Sequence, residues 1–475
     1  MHNFEIKYNT WLNSIFITSG FLNFLTEPDR RGLIMKKRTF AGGIHPPGHK
    51  ELTADLKIIQ AETPKTVFIP LAQHIGAPCY PLVEVGDLVK VGQKLGDASS
   101  FVSAPVHSSV SGRVTAVTEI LGFGKCIVLE NDGEYTPDPA IVHNPHSEDL
   151  TPDQLRQVVR DAGIVGMGGA AFPAHVKFSP PQDKPIEFLV LNGSECEPYL
   201  TADHRVMLEQ PERIIAGMKY IMKMLGCSKS FIGIEDNKMD AVKALQDIPG
   251  LSEKIEIVPL LEKYPQGSEK HLIHTCVGRE VPAGGLPLDV GVVVSNVGTA
   301  VAVADAVEEG IPLIERVVTV SGSGIVRPAN YRVKIGTLVS SLVEQSGGYT
   351  GKVGKIISGG PMMGRTLYSG EVPITKGTSG VLFVSEKEVV RELPHACVRC
   401  ARCVDACPMF LMPTILYKNT DKQNWEAVEE NHVLDCIECG SCSYVCPAKI
   451  PLVQYIRQGK EIVSSRRREA AAAKA

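Results

Sequence analysis

CVRCARCVDACP, at residues 397–408, and CIECGSCSYVCP, at residues 436–447, are two copies of the pattern C-x2-C-x2-C-x3-C-P. In this spacing, three thiolates from one tight loop bind three irons of a [4Fe–4S] cube, and the fourth cysteine binds the other cluster. The sequence therefore predicts a first cluster on Cys397, Cys400, Cys403 and Cys446, and a second cluster on Cys436, Cys439, Cys442 and Cys407. Structural zinc is the alternative, but zinc sites are built from paired two-cysteine knuckles rather than from four-cysteine runs that end in proline.

The residues around these motifs predict a helical domain. A helical pattern occupies the stretch between the two motifs, and strand signals stop beyond Glu386. We therefore expect an α-helical dicluster ferredoxin domain over residues 386–463, followed by a polar, alanine-rich tail over residues 464–475. The remaining cysteines are scattered, and we expect them to be buried as small apolar side chains. They are Cys79, Cys126, Cys196, Cys227 and Cys276.

The composition is that of a globular protein of several domains. The chain has 475 residues, too many for one hydrophobic core, and 44% of them are hydrophobic. Its 49 basic residues nearly balance 53 acidic ones, so no long-range field indicates nucleic acid as a partner. Most of the thirteen cysteines lie between residues 397 and 446, which favours a reducing compartment over a disulfide framework.

Two further features concern the N-terminus and the membrane. Met35-Lys36-Lys37 has the character of a natural start, so residues 1–35 are predicted to be an unstructured extension. No apolar run approaches the roughly 18 to 20 residues that crossing a bilayer requires. We therefore expect a protein that docks on a membrane at most and does not enter it.

Residues 36–138 have the pattern of a small β domain. Short strands separated by glycines occur in two half-similar passages, Val83–Gly92 and Ala104–Val117. They resemble the biotinyl/lipoyl carrier domains, which predicts a barrel-sandwich fold. The carriers present a lysine for modification at the hairpin tip, whereas Ser108-Ser109 stands at the matching turn here. The expected role of this domain is therefore structural.

Residues 139–312 alternate between helices and strands. Thr151-Pro-Asp-Gln154 is a capping box that opens the first helix. Strands are predicted at 186–191, 231–234 and 255–260, and helices at 203–225 and 238–247. This alternation predicts an open, mostly parallel α/β sheet, whose ligands sit beyond the carboxyl ends of the strands. Residues 313–385 return to short β runs with one helical stretch, which predicts a small mixed β domain.

A glycine-rich loop, Gly166-Met-Gly168-Gly169-Ala-Ala171, formally fits the dinucleotide pattern G-x-G-x-x-A. A helix precedes it and Pro173 follows it, so a standard Rossmann turn is disfavoured. Backbone without side chains still suits close approach to a phosphate or a flat ring, and Lys177 is close enough to supply a charge for phosphate. A plain surface turn is the alternative.

An acidic loop, Asn192-Gly-Ser-Glu195-Cys-Glu197-Pro198, follows the first predicted strand of the α/β sheet, at the place where such sheets bind ligands. Glu195 and Glu197 would point the same way if the segment is extended. The alternative is an acidic loop that caps a helix. Two later loops, at 263–269 and 295–299, carry an aromatic residue, an acid and amides.

In order and content these elements resemble the family of the C subunit of the Rnf electron-transport complex, from Lys37 to about Val463. Over residues 150–310 they also resemble the flavin-bearing NADH-binding subunit of respiratory complex I. The resemblance implies an FMN- and NAD(H)-binding α/β domain, a β-grasp domain of the SLBB type over residues 313–385 and a helical domain with two [4Fe–4S] clusters. It thus predicts a multidomain α/β protein of four folded domains.

The resemblance also implies roles for individual residues. Glu197 matches an acid near the nicotinamide, and Glu269 matches an acid that contacts the dinucleotide. The residues that match flavin contacts are Gly166, Gly168, Lys177, Asn192, Glu195, Tyr264, Gly267, Ser295, Asn296 and Thr299.

The function implied is that of a peripheral subunit on the cytoplasmic face of the cell membrane. It would exchange electrons between NAD(H) and ferredoxin-level carriers, with the other subunits of a membrane-bound Rnf complex as partners and ferredoxin as an indirect one. The complex would couple this flow to Na⁺ or H⁺ movement. One alternative is a cobalamin reductase of bacterial microcompartments, which activity on a corrinoid would reveal. Another is a non-catalytic electron-wiring iron–sulfur subunit, which would contain sulfide but no flavin.

Overall fold

The computed structural model describes residues 26–28, 34–36, 38–389 and 392–473. Most of the predicted unstructured extension, residues 1–35, lies outside the described residues. Two short strands are described at its end, β1 (Thr26–Pro28) and β2 (Ile34–Lys36), and they pair antiparallel.

The segment that follows packs against other domains before the chain enters the β domain. Ile44 forms an antiparallel bridge with Tyr264, and β3 (Ile59–Gln60) lies parallel to a strand of the third domain. Residues 38–60, predicted as the start of the 36–138 domain, thus also contact later parts of the chain. Phe40 and Ile44 are buried there, Phe40 beside the His271 ring and Ile44 in an apolar cluster with Tyr264.

The β domain consists of two antiparallel sheets, with the strand orders β4-β10-β9-β6 and β5-β7-β8. Its strands are β4 (Thr66–Pro70), β5 (Tyr80–Pro81), β6 (Leu88–Val89), β7 (Lys94–Asp97), β8 (Val106–His107), β9 (Gly112–Ile120) and β10 (Gly124–Asn131). Ser108 and Ser109 are fully buried, and the Ser109 hydroxyl donates to the Ile335 carbonyl at 2.6 Å. The hairpin tip is therefore part of a domain interface, in agreement with a structural role.

The α/β domain is built on a fully parallel sheet of order β13-β12-β11-β14. Its elements are α1 (Pro152–Asp161), α2 (Ala174–Lys177), β11 (Phe188–Asn192), α3 (Ala202–Glu209), α4 (Pro211–Leu225), β12 (Lys229–Glu235), α5 (Met239–Gln246), β13 (Ile255–Leu260), α6 (Glu269–Val277), β14 (Val292–Asn296) and α7 (Val297–Glu309). The predicted capping box at Thr151 is present. The single helix predicted over 203–225 is instead two helices, because Pro211 lacks the N–H that would continue the first one.

Both faces of this sheet are buried, as parallel sheets require. Along β11, Leu189 and Leu191 point into one apolar core while Val190 points into the opposite one. The first of these cores continues without a break into the β domain, where it includes Ile69 and Leu129. The two domains therefore share a core and form one packed unit.

The third domain contains a six-stranded sheet of order β18-β17-β19-β15-β16-β3, so the N-terminal segment supplies its edge strand. Its elements are β15 (Glu315–Ser321), β16 (Ala329–Lys334), α8 (Val339–Gln345), β17 (Val353–Ser358), β18 (Arg365–Leu367) and β19 (Gly380–Ser385). Short 3₁₀ helices elsewhere lie at Lys50–Leu52, Ser147–Asp149, Asp236–Lys238, Pro287–Val290, Glu386–Glu388 and Val433–Asp435.

The C-terminal domain is helical, with α9 (Arg402–Asp405), α10 (Pro413–Asp421), α11 (Trp425–Glu430), α12 (Ser441–Tyr444) and α13 (Leu452–Ala472). The last helix passes the predicted boundary at residue 463 without a break. Arg466 pairs with Glu426 at 2.9 Å, and Arg467 pairs with Glu429, so the described part of the tail continues a packed helix. Among the described helices, none combines the length and apolar character needed to cross a membrane.

Candidate functional site

The candidate site begins at the carboxyl ends of β11 and β14, which are neighbours in the sheet with Asn192 opposite Asn296. The glycine loop lies against this edge. A Cβ added to Gly168 would come within 2.9 Å of the Asn296 amide nitrogen, whereas one added to Gly169 would meet nothing within 4 Å. The Met167 N–H donates to the Thr299 hydroxyl at 3.0 Å, which ties the loop to the start of α7. Exposed backbone thus faces open space beside the sheet edge, as the approach of a flat ring requires.

Asn192 and Asn296 both organise the loops around them. Asn192 donates to the Gly267 carbonyl at 2.9 Å and accepts from the Ser194 N–H at 3.0 Å. The Asn296 side chain caps α7 by accepting from the Gly298 N–H at 2.8 Å. The predicted residues from three separate loops are therefore brought to one edge of the sheet, and Ser295 lies buried at the end of β14 beside them.

Lys177 and Glu269, predicted as separate ligand contacts, form an ion pair with each other. Lys177 ends the short helix after the glycine loop, and Glu269 begins α6. Both side chains are partly exposed, so the pair is accessible to a ligand. A phosphate at this position would compete with Glu269 for the ammonium group.

The Glu195 side chain caps a helix, which is the alternative that the sequence left open for this loop. Its carboxylate accepts from the N–H groups of Asp203 and His204 at 2.8 and 3.1 Å and so caps the first turn of α3. Asp203 is enclosed beside it and accepts from the Asn296 amide at 2.7 Å. Burial and the neighbouring Glu195 charge raise the pKa of Asp203 to about 7, although Asn296 and Arg316 favour the charged form.

Glu197 faces the third domain. Its two carboxylate oxygens accept from the N–H groups of Met362 and Met363 at 3.0 and 2.8 Å. Burial raises the pKa of Glu197, against the opposing effect of these two N–H donors and of Lys50. The sequence could not indicate this contact, because the partners lie about 165 residues away and the hydrogen bonds use their backbone.

Two lysines that the sequence did not indicate hold the acidic loop through its backbone carbonyls. The Lys50 ammonium donates to the carbonyls of Glu195, Glu197 and Leu200 at 2.8, 3.0 and 2.6 Å. Lys238, almost fully buried, donates to the Ser194 carbonyl at 2.7 Å and pairs with Glu235 at 3.3 Å. Neither lysine belongs to a recognisable motif, so no local signal could have found them.

The cluster cysteines line two separate cavities in the pairing that the spacing predicts. One cavity is lined by Cys397, Cys400, Cys403 and Cys446, and the other by Cys407, Cys436, Cys439 and Cys442. In the second cavity, burial and the adjacent thiols raise the pKa of Cys442 to about 12. The thiolate forms of four neighbouring cysteines repel one another. A positively charged iron–sulfur core in the cavity would compensate this charge.

The second cavity lies against the candidate flavin site. The Tyr264 hydroxyl donates to the Cys439 carbonyl at 2.8 Å, and Nε2 of His271 donates to the Pro408 carbonyl at 3.0 Å. Tyr264 is buried, and burial raises the pKa of its hydroxyl. The first cavity is closer to the surface, since Cys400, which lines it, is exposed. Tyr264 therefore contacts the protein around the second cluster.

In comparisons with known proteins, the chain matches four successive family models. They are the RnfC barrel sandwich hybrid domain over residues 38–134, the Nuo51 FMN-binding domain over 159–305, the SLBB domain over 317–366 and the 4Fe-4S dicluster domain over 389–447. Together with the observed sheets and helices, these matches confirm the predicted fold class.

Several curated proteins are similar over nearly the whole chain. The C subunit of the Na⁺-translocating ferredoxin:NAD⁺ oxidoreductase complex of Acetobacterium woodii is 47% identical over 91% of this chain and 99% of its own length. The proton-translocating counterpart of Clostridium ljungdahlii is 48% identical over 88% and 93%. The C subunit of the ion-translocating oxidoreductase complex of Rhodobacter capsulatus is 42% identical over 90% and 83%. Among solved structures, a chain of an NAD⁺-reducing [NiFe]-hydrogenase aligns with 67% of this chain and 63% of its own length, at 21% identity and a TM-score of 0.45.

Proposed function

Because the chain belongs to the family of the C subunit of the ion-translocating ferredoxin:NAD⁺ oxidoreductase (Rnf) complex, we propose that it is the component that exchanges electrons with NAD(H), using FMN and two [4Fe–4S] clusters. Its partners are the other subunits of such a membrane-bound complex. The FMN-binding and dicluster family models support the cofactors, and the resemblance stated from the sequence is confirmed by the relatives.

The observation that carries the proposal is the contact between the candidate flavin site and the second cysteine cavity. Tyr264 extends from the loop beside Gly267 to the Cys439 carbonyl, which belongs to the loop that would bind the second cluster. A flavin at the sheet edge and a cluster in this cavity would then be separated only by packed protein. This arrangement suits transfer of single electrons and supports an enzyme over a subunit that only wires other centres.

The residues present fit the two kinds of cofactor. Bound FMN would supply the conversion between a two-electron hydride and single electrons, which the clusters carry. We assign the flavin ring to the backbone at Gly166 and Gly168, and the phosphate to Lys177. Asn192 and Asn296 orient the loops, while Tyr264 and the buried end of β14 exclude water. The further flavin contacts proposed are Glu195, Gly267, Ser295 and Thr299, with Glu269 toward the dinucleotide.

We place the protein at the cytoplasmic face of the membrane, as a peripheral component whose complex couples electron flow to Na⁺ or H⁺ movement. The family supports membrane association through partners. Relatives of nearly equal identity carry the two different ions in their names, so overall similarity does not choose between the ions. The ion must be set by the partner subunits or by a few local residues.

Anaerobic reconstitution with iron, sulfide and FMN, followed by titration with NADH, tests the proposal. We expect bleaching of the flavin absorbance and then of the cluster absorbance. Protein that binds FMN and clusters but is not reduced by NADH would contradict it. Parallel incubation with a corrinoid, and analysis of flavin content after purification, would reveal a cobalamin reductase or a wiring subunit instead.

A further inference from the structure

The loop between β17 and β18 lies where the α/β, β-grasp and ferredoxin domains meet. Its sequence is Ser358-Gly-Gly-Pro-Met-Met-Gly364. The turn is tight, because Gly359 has a φ of +96° and a Cβ at Gly364 would overlap the Gly360 carbonyl. This geometry presents the two methionines at the tip. We call residues 359–364 the bridging loop.

One side of the bridging loop is held by Glu197. Both carboxylate oxygens are used by the N–H groups of Met362 and Met363, and a Cβ on Gly360 would overlap the Glu197 side chain. Hydrogen bonds to a carboxylate are about twice as strong as neutral ones. The Glu197 backbone is held in turn by Lys50. The carboxylate is therefore directed at the third domain, where each of its oxygens accepts one N–H.

The other side of the bridging loop touches the loop that lines the second cysteine cavity. The Met362 side chain packs in an apolar cluster with Tyr264 and Cys439. A Cβ on Gly440 would lie 3.1 Å from the Met362 carbonyl oxygen, and Gly440 itself has a φ of +79°. Met362 therefore sits between the acidic loop of the flavin site and the second cluster loop, in contact with both.

We propose that the bridging loop is a positioning element for electron transfer, in which Met362, anchored by Glu197, sets the separation between the flavin and the second cluster. Glu197 then acts through Met362 rather than by touching the nicotinamide. The inference rests on the proposed function, since it presupposes a flavin at the sheet edge. Its physical basis is that close packing transmits position, and a cavity beside a redox centre lets its loop move.

The adjacent methionines provide a matched pair of variants. Met362→Ala removes the partly buried side chain that makes the contact, whereas Met363→Ala removes a side chain that is 47% exposed and keeps the backbone N–H. Each reconstituted protein is mixed rapidly with NADH, and flavin and cluster absorbance are followed separately. Because a gap at this contact lets the cluster loop move away from the flavin, and electron transfer slows with distance, we expect Met362→Ala to slow cluster reduction severalfold. Flavin reduction stays at the wild-type rate, and Met363→Ala matches wild type in both steps.

A readout without turnover accompanies these rates. Dithionite reduces the clusters directly, so the amplitude of the cluster EPR signal reports loading, and its line shape reports the surroundings of the second cluster. We expect Met362→Ala to have wild-type amplitude and an altered line shape for one cluster. Cluster reduction by NADH at the wild-type rate in loaded Met362→Ala would overturn the proposal.

Glu197→Gln tests the anchor and covers the case in which Met362→Ala does not load. The amide retains one acceptor, so we expect slower cluster reduction, faster hydrogen exchange at the Met362 and Met363 amides and an unchanged KM for NADH. A raised KM for NADH with unchanged amide exchange would instead place Glu197 at the nicotinamide and refute its positioning role. If wild-type protein itself is not reduced by NADH, the proposed function fails, a result distinct from any difference among variants.

Discussion

Lys50→Met tests whether the acidic loop of the flavin site depends on the N-terminal segment. The Lys50 ammonium donates to three carbonyls of one loop, those of Glu195, Glu197 and Leu200. A hydrogen bond from a charged donor contributes about 1.5–3 kcal/mol, so the three together would give several kcal/mol. Burial opposes part of this gain, because it lowers the pKa of Lys50. We therefore expect a net loss of about 3 kcal/mol, within the range for breaking a buried charged contact.

This loss should affect both stability and flavin binding. For domains of about 150–250 residues each kcal/mol lowers the melting temperature by about 2–4 °C, and the unit formed by the β and α/β domains is larger, so a decrease of about 6 °C is expected for its unfolding step. If the substitution destabilises the flavin-bound form by about 1.4 kcal/mol more than the flavin-free form, the Kd for FMN rises about tenfold. Differential scanning calorimetry and fluorescence titration with FMN measure the two effects.

Lys57→Met is the matched control, since Lys57 is an exposed lysine of the same N-terminal segment. It should leave both quantities at their wild-type values. If Lys50→Met also had wild-type melting temperature and FMN affinity, the three hydrogen bonds would contribute nothing measurable. The reasoning that the N-terminal segment supports the site would then be refuted.

Three further substitutions test the cluster ligands, a buried carboxyl group and the packing of two helices. Cys446→Ser should lower iron and sulfide content by about half and remove the cluster of the first motif, because the fourth cysteine binds the other motif's cluster; loss of the second cluster instead would contradict the pairing. In wild type, the pKa of Asp203 is raised from 3.8 to about 7, so the folded state binds a proton more tightly than the unfolded state and stability falls as pH rises between these two values. Asp203→Asn should flatten the dependence of melting temperature on pH over this range. Equal slopes for variant and wild type would disprove the shift. Gly217→Ala should destabilise by about 3 kcal/mol in chemical denaturation despite the better helix propensity of alanine, because its Cβ would overlap the Ala300 carbonyl where α4 meets α7; a stabilised variant would show that the helices can separate freely.

The sequence by itself determined the features that depend on local spacing. The two cysteine motifs predicted the pairing of Cys446 with the first motif and Cys407 with the second, and the same cysteines line the two cavities. The capping box at Thr151 likewise specified the start of α1. The alternation of strands with helices specified a parallel sheet with loops at its carboxyl edge. Such features depend on the spacing of residues within short motifs, and this spacing can be read directly from the sequence.

Only the tertiary structure decided how these parts are connected. Lys50 reaches a loop some 145 residues away, and Glu197 binds backbone N–H groups some 165 residues away. Glu195 and Glu197 were predicted to point the same way if the segment is extended. Glu195 has a φ of +45°, so the segment is not extended, and one side chain caps α3 while the other faces the β-grasp domain. Contacts between distant segments use carbonyls and N–H groups that nearly every residue carries, so they leave no pattern in the sequence. That is the physical reason why the grouping of the cysteines could be predicted from the chain, while the contact between the candidate flavin site and the second cysteine cavity could not.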